Sequence, residues 1–315
     1  MLKIANSEIQ AFKRCRRKWI LTYVYRLRQI VGGVGALAVG NMFHFPLEHY
    51  YAEPNRDPAA FDWKRHLDAY YQERLNDPAF PHDKAPEMQA AYELAGLMLK
   101  GYFEWLQAEG SDAEIQIVSA EREVEVILGT VLGVEVHLIG KLDAEIIDRA
   151  TGFRSFMDHK SVQNLKDLEK IIELNEQLRF YGLLQRLEAA QKQTGEVQFA
   201  HGGVLNQARK VKRTASANPP FYGRAGVRHN EDVYRNFYTR VHGEVYEIVR
   251  LRQQLEAGVD HQQVAYPTPS RDCSWDCPFL ALCPRMDDGS DVQAIIAQGY
   301  EVHDPYARYT EVEKG

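Results

Sequence analysis

Between about Glu114 and Val162 apolar and polar residues alternate, with turn signals at Gly129, Gly133 and Gly152. A period of two is the mark of half-buried strands, so this stretch predicts a four-strand meander. On either side the period lengthens to that of a helix. A proline-free amphipathic run opens on Ser7-Glu8-Ile9-Gln10, a capping-box pattern, and continues to about Arg28. A glycine-rich connector, VGGVGALAVG, leads into a second helical run carrying His44, Glu48 and His49, and two more helices are expected between about Phe61 and Glu109. The connector lacks the lysine and the preceding strand of a phosphate-binding loop and is given no nucleotide role. After the meander, helical periodicity runs from Asp167 to about Gln191. A strand is expected at Val197 to Leu205, then a loop, then a helix from about Glu231 to Glu256. Helices, meander, helix, strand, helix is the order of a mixed α/β fold.

With 315 residues, 45% hydrophobic and 26% charged, the chain can build one large core or a core with a small appendage. No apolar run is long enough to span a bilayer, and cations from Lys13 to Lys18 stand where a signal peptide needs apolar residues. A cytoplasmic location with no membrane partner is therefore expected. A net charge of −6 argues against a nucleic-acid partner, but its distribution argues the other way. Residues 1–30 carry eight Lys and Arg against Glu8 alone. A second island, Arg209, Lys210, Lys212, Arg213, Arg224 and Arg228, contains no acid and is interleaved with Phe221 and Tyr222. Cations for phosphates and rings for bases make these eight residues candidates for nucleic-acid binding.

The stretch FMDHKSVQ sets Asp158 two residues before Lys160 in a run that otherwise reads as a buried strand. If GKLDAEIID and FRSFMDHKS form a hairpin closed by Arg149-Ala150-Thr151-Gly152, the register places Asp143 opposite Asp158 and Lys141 opposite Lys160. Lys160 then shares a face with Asp158. Two facing carboxylates repel unless a cation lies between them, and hard oxygen ligands suit magnesium or manganese. In the following helix the four-residue offset puts Gln177 and Tyr181 on one face, and an earlier helix carries Gly40-x-x-x-His44 with Glu48 a turn further on. The four cysteines, Cys15, Cys273, Cys277 and Cys283, have a C-x3-C-x5-C triplet among them. That spacing suggests a metal centre, with zinc and a [4Fe-4S] cluster both compatible.

Gly40-x-x-x-His44, Gly140-x-x-Asp143, Asp158-His159-Lys160 and Gln177-x-x-x-Tyr181 resemble the ordered motifs of the RecB-like branch of the PD-(D/E)xK nuclease superfamily. That branch includes CRISPR-associated exonucleases and the nuclease domains of helicase-nucleases. The N-terminal CRRKW and the cysteines extend the similarity over most of the chain. The resemblance implies a restriction-endonuclease-like core, a central mixed sheet flanked by helices, with an N-terminal helical region and a C-terminal cysteine segment. It implies one nuclease domain over 1–286: a helical region at 1–110, the catalytic core at 111–207, a basic loop at 208–229, a helix and the cysteine triplet at 230–286, and a tail at 287–315. Metal ligation would fall to Asp143, Asp158, His44 and the backbone carbonyl of His159. Lys160 would orient water or stabilise phosphate charge, while Gln177 and Tyr181 would position the phosphate backbone or Lys160. One cysteine before the core and three after it favour an iron–sulfur cluster over zinc. The expected activity is a metal-dependent DNA nuclease, an exonuclease on single strands or free ends, acting in repair, recombination, phage DNA metabolism or CRISPR adaptation, with a helicase or recombination partner. The alternatives are a catalytically silent iron–sulfur DNA-binding subunit and an endonuclease. No P-loop motif is present, so no helicase motor is expected within the chain.

Overall fold

Strand β1 (Leu2–Ala5) precedes the first helical run and lies parallel to the middle of the alternating segment. The computed structural model describes residues 1–30, 36–78, 80–192, 199–214 and 216–309. The first half of the glycine-rich connector, the predicted strand start at Val197 and the last residues of the expected tail lie outside them. The predicted first helix is broken. Helix α1 (Asn6–Arg14) ends where Cys15 adopts an extended backbone, α2 (Arg16–Trp19) restarts the coil, and a π-helical turn, Ile20–Val24, leads to β2 (Leu27–Gln29). Ser7 does not cap it. The N-cap is Ala5, and the Ser7 hydroxyl instead accepts a hydrogen bond from Tyr23.

Helices α3 (Ala36–Ala52), α4 (Trp63–Leu75) and α5 (Ala85–Glu109) follow, the last ending on left-handed Gly110. The meander then has three strands, not four: β3 (Ile115–Val131), β4 (Val134–Asp148) and β5 (Arg154–Val162). Gly129, expected to end a strand, sits at a register shift inside β3, where its positive φ lets the ladder slip without breaking. The turn falls at Leu132-Gly133, both with positive φ, as a two-residue hairpin loop requires. A short α6 (Leu165–Glu169), a 3-10 turn and α7 (Glu176–Lys192) carry the chain to β6 (Gly202–Arg209), parallel to β5. The expected basic loop contains a strand, β7 (Tyr222–Arg228), antiparallel to β6. Helix α8 (Glu231–Glu256) matches its predicted bounds. Then come α9 (His261–Val264), the cysteine segment, α10 (Val292–Gly299) and β8 (Tyr300–Val302), which pairs with β2.

The main sheet has six strands in the order β1-β4-β5-β6-β7, with β3 also on β4. One face is covered by α3 and α5, where Met42, Phe43, Leu47, Leu99 and Tyr102 pack on Ala144, Ile146 and Met157. The other carries α1, α7 and α8, where Ile9, Phe180, Leu184, Phe237 and Val241 pack on Leu138 and Phe156. The fold is thus the mixed α/β architecture expected, a central sheet between two helical layers. No described helix is long and apolar enough to cross a membrane.

Candidate active site at the fork of the central sheet

Along one edge β4 changes partner. Val136 to Ile139 pair with β1, whereas Ala144 to Ile147 pair with β5, in the register Ala144↔Met157 that the sequence predicts. The β4–β5 ladder stops there, so Asp143 and Asp158, next in register, stand where the two strands part. The gap is bridged by side chains. Asp143 Oδ2 accepts a hydrogen bond from the backbone N–H of His159 at 2.9 Å. Asp158 Oδ1 accepts from Gln177 Nε2 at 2.8 Å, and its Oδ2 is ion-paired with Lys160 Nζ at 2.8 Å. Lys160 Nζ also donates to Gln177 Oε1 at 2.9 Å, and Gln177 Nε2 lies 2.6 Å from the Tyr181 hydroxyl. The Gln177 amide thus ties acid to base with both ends of its dipole, on a helix whose next turn brings Tyr181 onto the same face.

Electrostatics follow from burial. The side chain of Asp158 is 1% exposed and that of Lys160 31%, so the acid lies at the floor and the ammonium nearer the mouth. Burial raises the Asp158 pKa and outweighs the help of Lys160, while the nearby Asp143 adds to the rise. Burial acts upward on Asp143 too, but its interactions with His44, His159 and Lys160, the His159 backbone N–H among them, overcome it and hold its pKa below the usual range. His44 reaches the same place from α3, its ring 5.9 Å from that of His159, and burial lowers its pKa against the pull of Asp143. Burial pushes His159 down to about 3, so its ring is neutral near neutral pH. That ring lies against Tyr51 at 4.9 Å and hydrogen-bonds Asn206 at 2.8 Å. A cleft of about 560 Å³ opens above the fork, walled by Asn6, Gly40, His44, Lys141, Phe180 and Tyr309 among others.

The sequence names Lys141 and Glu48 but not the acid that joins them, Glu121. Lys141 is ion-paired with Glu121 at 2.9 Å and with Glu48 at 3.2 Å. Burial, then Asp143 and Glu48, push Glu121 up to about 7. Glu121 also has a positive φ of 50 degrees, uncommon for a residue with a side chain. The signal was available, since β3 must pair with β4 and its register brings Glu121 level with Asp143.

The eight nucleic-acid candidates do not form one surface. Arg224 is a correction: its guanidinium is held inside by Asp112, the Tyr51 hydroxyl at 2.9 Å, Asn206 Oδ1 at 3.2 Å and the Ser111 carbonyl at 3.2 Å. Tyr222 is another, since it is buried with its hydroxyl on the Met98 carbonyl at 2.9 Å. Both belong to β7, whose alternation turns them inward. Arg209 packs over Phe221 and bonds the carbonyls of Asn218 and Pro220, Arg213 pairs with Glu104 at 3.1 Å, and Arg228 lies 4.2 Å over the Phe153 ring. Lys210 is half-buried, which lowers its pKa, and Lys212 remains exposed.

Cys15, Cys273, Cys277 and Cys283 are free and partly buried. The N-terminal helices bring Cys15 to the triplet through Arg14 with Asp272 and Asp276, both at 2.8 Å, and Arg17 with Asp287 at 2.7 Å. Burial raises the pKa of Cys277 and Cys283, and the neighbouring thiols raise them further. Backbone N–H groups of Lys18 and Thr268 point at the Cys15 sulfur, and that of Ser270 at Cys273. Among the described residues, no three His, Cys, Asp or Glu side chains are grouped so that they could hold a metal ion. The donor types at the two places are carboxylate and imidazole at the fork and sulfur at the cysteines. At the fork, Asp143, Asp158 and His44 line the same cleft, and the positive charge nearby does not keep both acid pKa values low. At the cysteines, sulfurs that disfavour each other's ionisation receive hydrogen bonds suited to thiolates.

A family model described as the PD-(D/E)XK nuclease superfamily matches residues 3–284. A solved structure, the crystal structure of SSO0001, is similar at 15% identity over 77% of this chain and 94% of that chain, with a TM-score of 0.33. No curated protein matches.

Proposed function

The chain belongs to the PD-(D/E)XK nuclease superfamily, and on that premise we propose that it is a metal-dependent DNA exonuclease of the RecB-like branch, acting on single strands or free ends. The observation that carries this reading is the fork itself, where Asp143, Asp158, Lys160 and Gln177 converge from three elements on one cleft. Asp143, Asp158, His44 and the carbonyl of His159 would hold magnesium or manganese. A bound divalent ion supplies Lewis acidity toward water and the scissile phosphate. Lys160 would meet phosphate charge, and its hydrogen bond to Gln177 beside the cleft supports that role. Tyr181, through Gln177, orients that amide. Hydrolysis joins a water oxygen to phosphorus and releases one ester oxygen, which leaves with a proton. Asp143, with its lowered pKa, stays an acceptor throughout. The four cysteines are proposed to hold a [4Fe-4S] cluster with a structural role, since phosphodiester hydrolysis transfers no electron.

The test is cleavage of end-labelled and circular single-stranded DNA with manganese or with chelator. The parental protein should degrade the linear strand only, and only with metal. Asp158→Asn and Lys160→Gln should each lower the rate at least about 100-fold while retaining DNA binding. Parental rates in either variant would overturn the site. Cleaved circles would overturn the exonuclease reading. Anaerobically purified protein should contain iron and labile sulfide, whereas one stoichiometric zinc and no iron would overturn the cluster.

A further inference from the structure

The span matched by the nuclease family ends at residue 284, yet one wall of the cleft comes from beyond it. Helix α10 delivers β8 onto β2, where Tyr300 pairs with Gln29 and Val302 with Leu27. His303 N–H then donates to the Arg26 carbonyl at 2.7 Å. Tyr306 donates its hydroxyl to Glu8, a carboxylate with no exposed surface that also accepts from Trp19 Nε1 at 2.9 Å and Arg252 at 2.7 Å. The Tyr306 ring lies 5.8 Å from that of Tyr23. A single 3-10 turn, Ala307–Tyr309, places Tyr309 in the cleft wall, its hydroxyl 3.1 Å from Ser7 Oγ at the start of α1. It shares that cleft with Asp143, Asp158, Lys160 and Gln177.

Three successive anchors fix this strap, so the ring is ordered before any substrate arrives and little entropy remains to be lost on contact. The fork supplies groups for a phosphate, and none of them reads a base. Aromatic rings bind single strands by stacking on unpaired bases, whatever the sequence. We propose that Tyr309 is a substrate-contacting residue that receives the base of a single-stranded nucleotide whose phosphate lies at the fork, and so selects unpaired strands. This rests on the nuclease reading above and adds the determinant of strand type.

The experiment compares the full-length protein with Tyr309→Ala and Tyr309→Phe. Affinity for a labelled single strand is measured by anisotropy in chelator, and KM and kcat with manganese. Tyr309→Ala should weaken binding and raise KM about ten-fold, the scale of one lost stacking contact, with kcat nearly unchanged. Tyr309→Phe should keep parental values. A strand bearing an abasic residue at its end should bind the parental protein as weakly as the intact strand binds Tyr309→Ala, and the substitution should then cost nothing further. Unchanged affinity in Tyr309→Ala, or an equal loss on abasic and intact strands, overturns the assignment. Tighter binding or faster cleavage in Tyr309→Ala also overturns it, by making the strap an obstruction. A parental protein that binds strands but cleaves none would sink the nuclease reading, and the anisotropy arm would still decide the role of Tyr309.

Discussion

At the scale of single residues, the two basic side chains Lys160 and Arg224 show what a sequence can and cannot disclose. Lys160 was legible because its partners are local or fixed by register: Asp158 lies two residues away on the same strand face, and Gln177 follows in the next helix. Arg224 sits in an acid-free basic island and reads as a phosphate ligand. Its counter-charge is Asp112, more than a hundred residues earlier, and the tyrosine hydroxyl that completes its cage comes from α3. No local pattern announces such a pair. Burial of a guanidinium needs its several donors satisfied together, and a lysine at 224 could reach only part of that cage. Arg224→Lys is therefore expected to lose about 3 kcal/mol of stability, the scale for disrupting a buried ion pair, measured by urea denaturation. Arg224→Ala should leave the salt dependence of DNA binding unchanged. A folded Arg224→Ala variant whose salt slope falls by about one would return Arg224 to the nucleic-acid surface.

At the scale of elements, periodicity located β4, β5 and α8 because each buries one regular face, and it missed β1 and β7 for different reasons. Strand β1 is only four residues long and was absorbed into the helical run behind it. Strand β7 carries Gly223, Gly226 and two arginines, a composition that reads as loop, and it is a strand because β6 offers it a continuous ladder. The motif glycine of β4 also acts at this scale. Gly140 lies in the stretch between the two partners of β4, and a Cβ there would stand 2.6 Å from Leu184 Cδ1 on α7. Leu184 is fully buried, so it has little room to yield. The glycine therefore sets how closely α7 approaches β4, and α7 carries the Gln177 that clamps Asp158 to Lys160. Gly140→Ala should cost about 1–3 kcal/mol as an overpacked core position, read from urea denaturation, and should also lower cleavage. Parental stability would mean that α7 is not held at contact distance by this position.

At the scale of the whole molecule, the cleft draws on Asn6 at one end of the sequence and Tyr309 at the other. The cysteine pattern made part of this closure legible, because one cysteine before the core and three after it imply that the ends meet. The strap was not legible, since its strand has three residues and its anchors are single tyrosines. The helical layer of α3 and α5 shows a property of the same global kind. Tyr50, Tyr51, Tyr102 and Tyr222 pack in one core. Burial raises all four hydroxyl pKa values above the ordinary 10, that of Tyr222 to about 12. Unfolded tyrosines ionise near pH 10, whereas these must keep their protons while the fold is intact. The stabilising contribution is therefore fully present below pH 10 and is lost as the pH climbs above it, that of Tyr222 by about pH 12. Each tyrosine that must take up no charge while folded lowers stability by about 1.4 kcal/mol per pH unit once its unfolded counterpart is ionised. Stability measured by urea should thus hold to about pH 9 and collapse cooperatively above pH 10, with tyrosinate absorbance appearing at the unfolding transition and not before it. Tyr222→Phe should make the alkaline slope shallower by about one proton. A native state that exposes these tyrosines to titration while still folded would show that the layer opens locally, and that the wall bearing Tyr51 against His159 is less rigid than its packing implies.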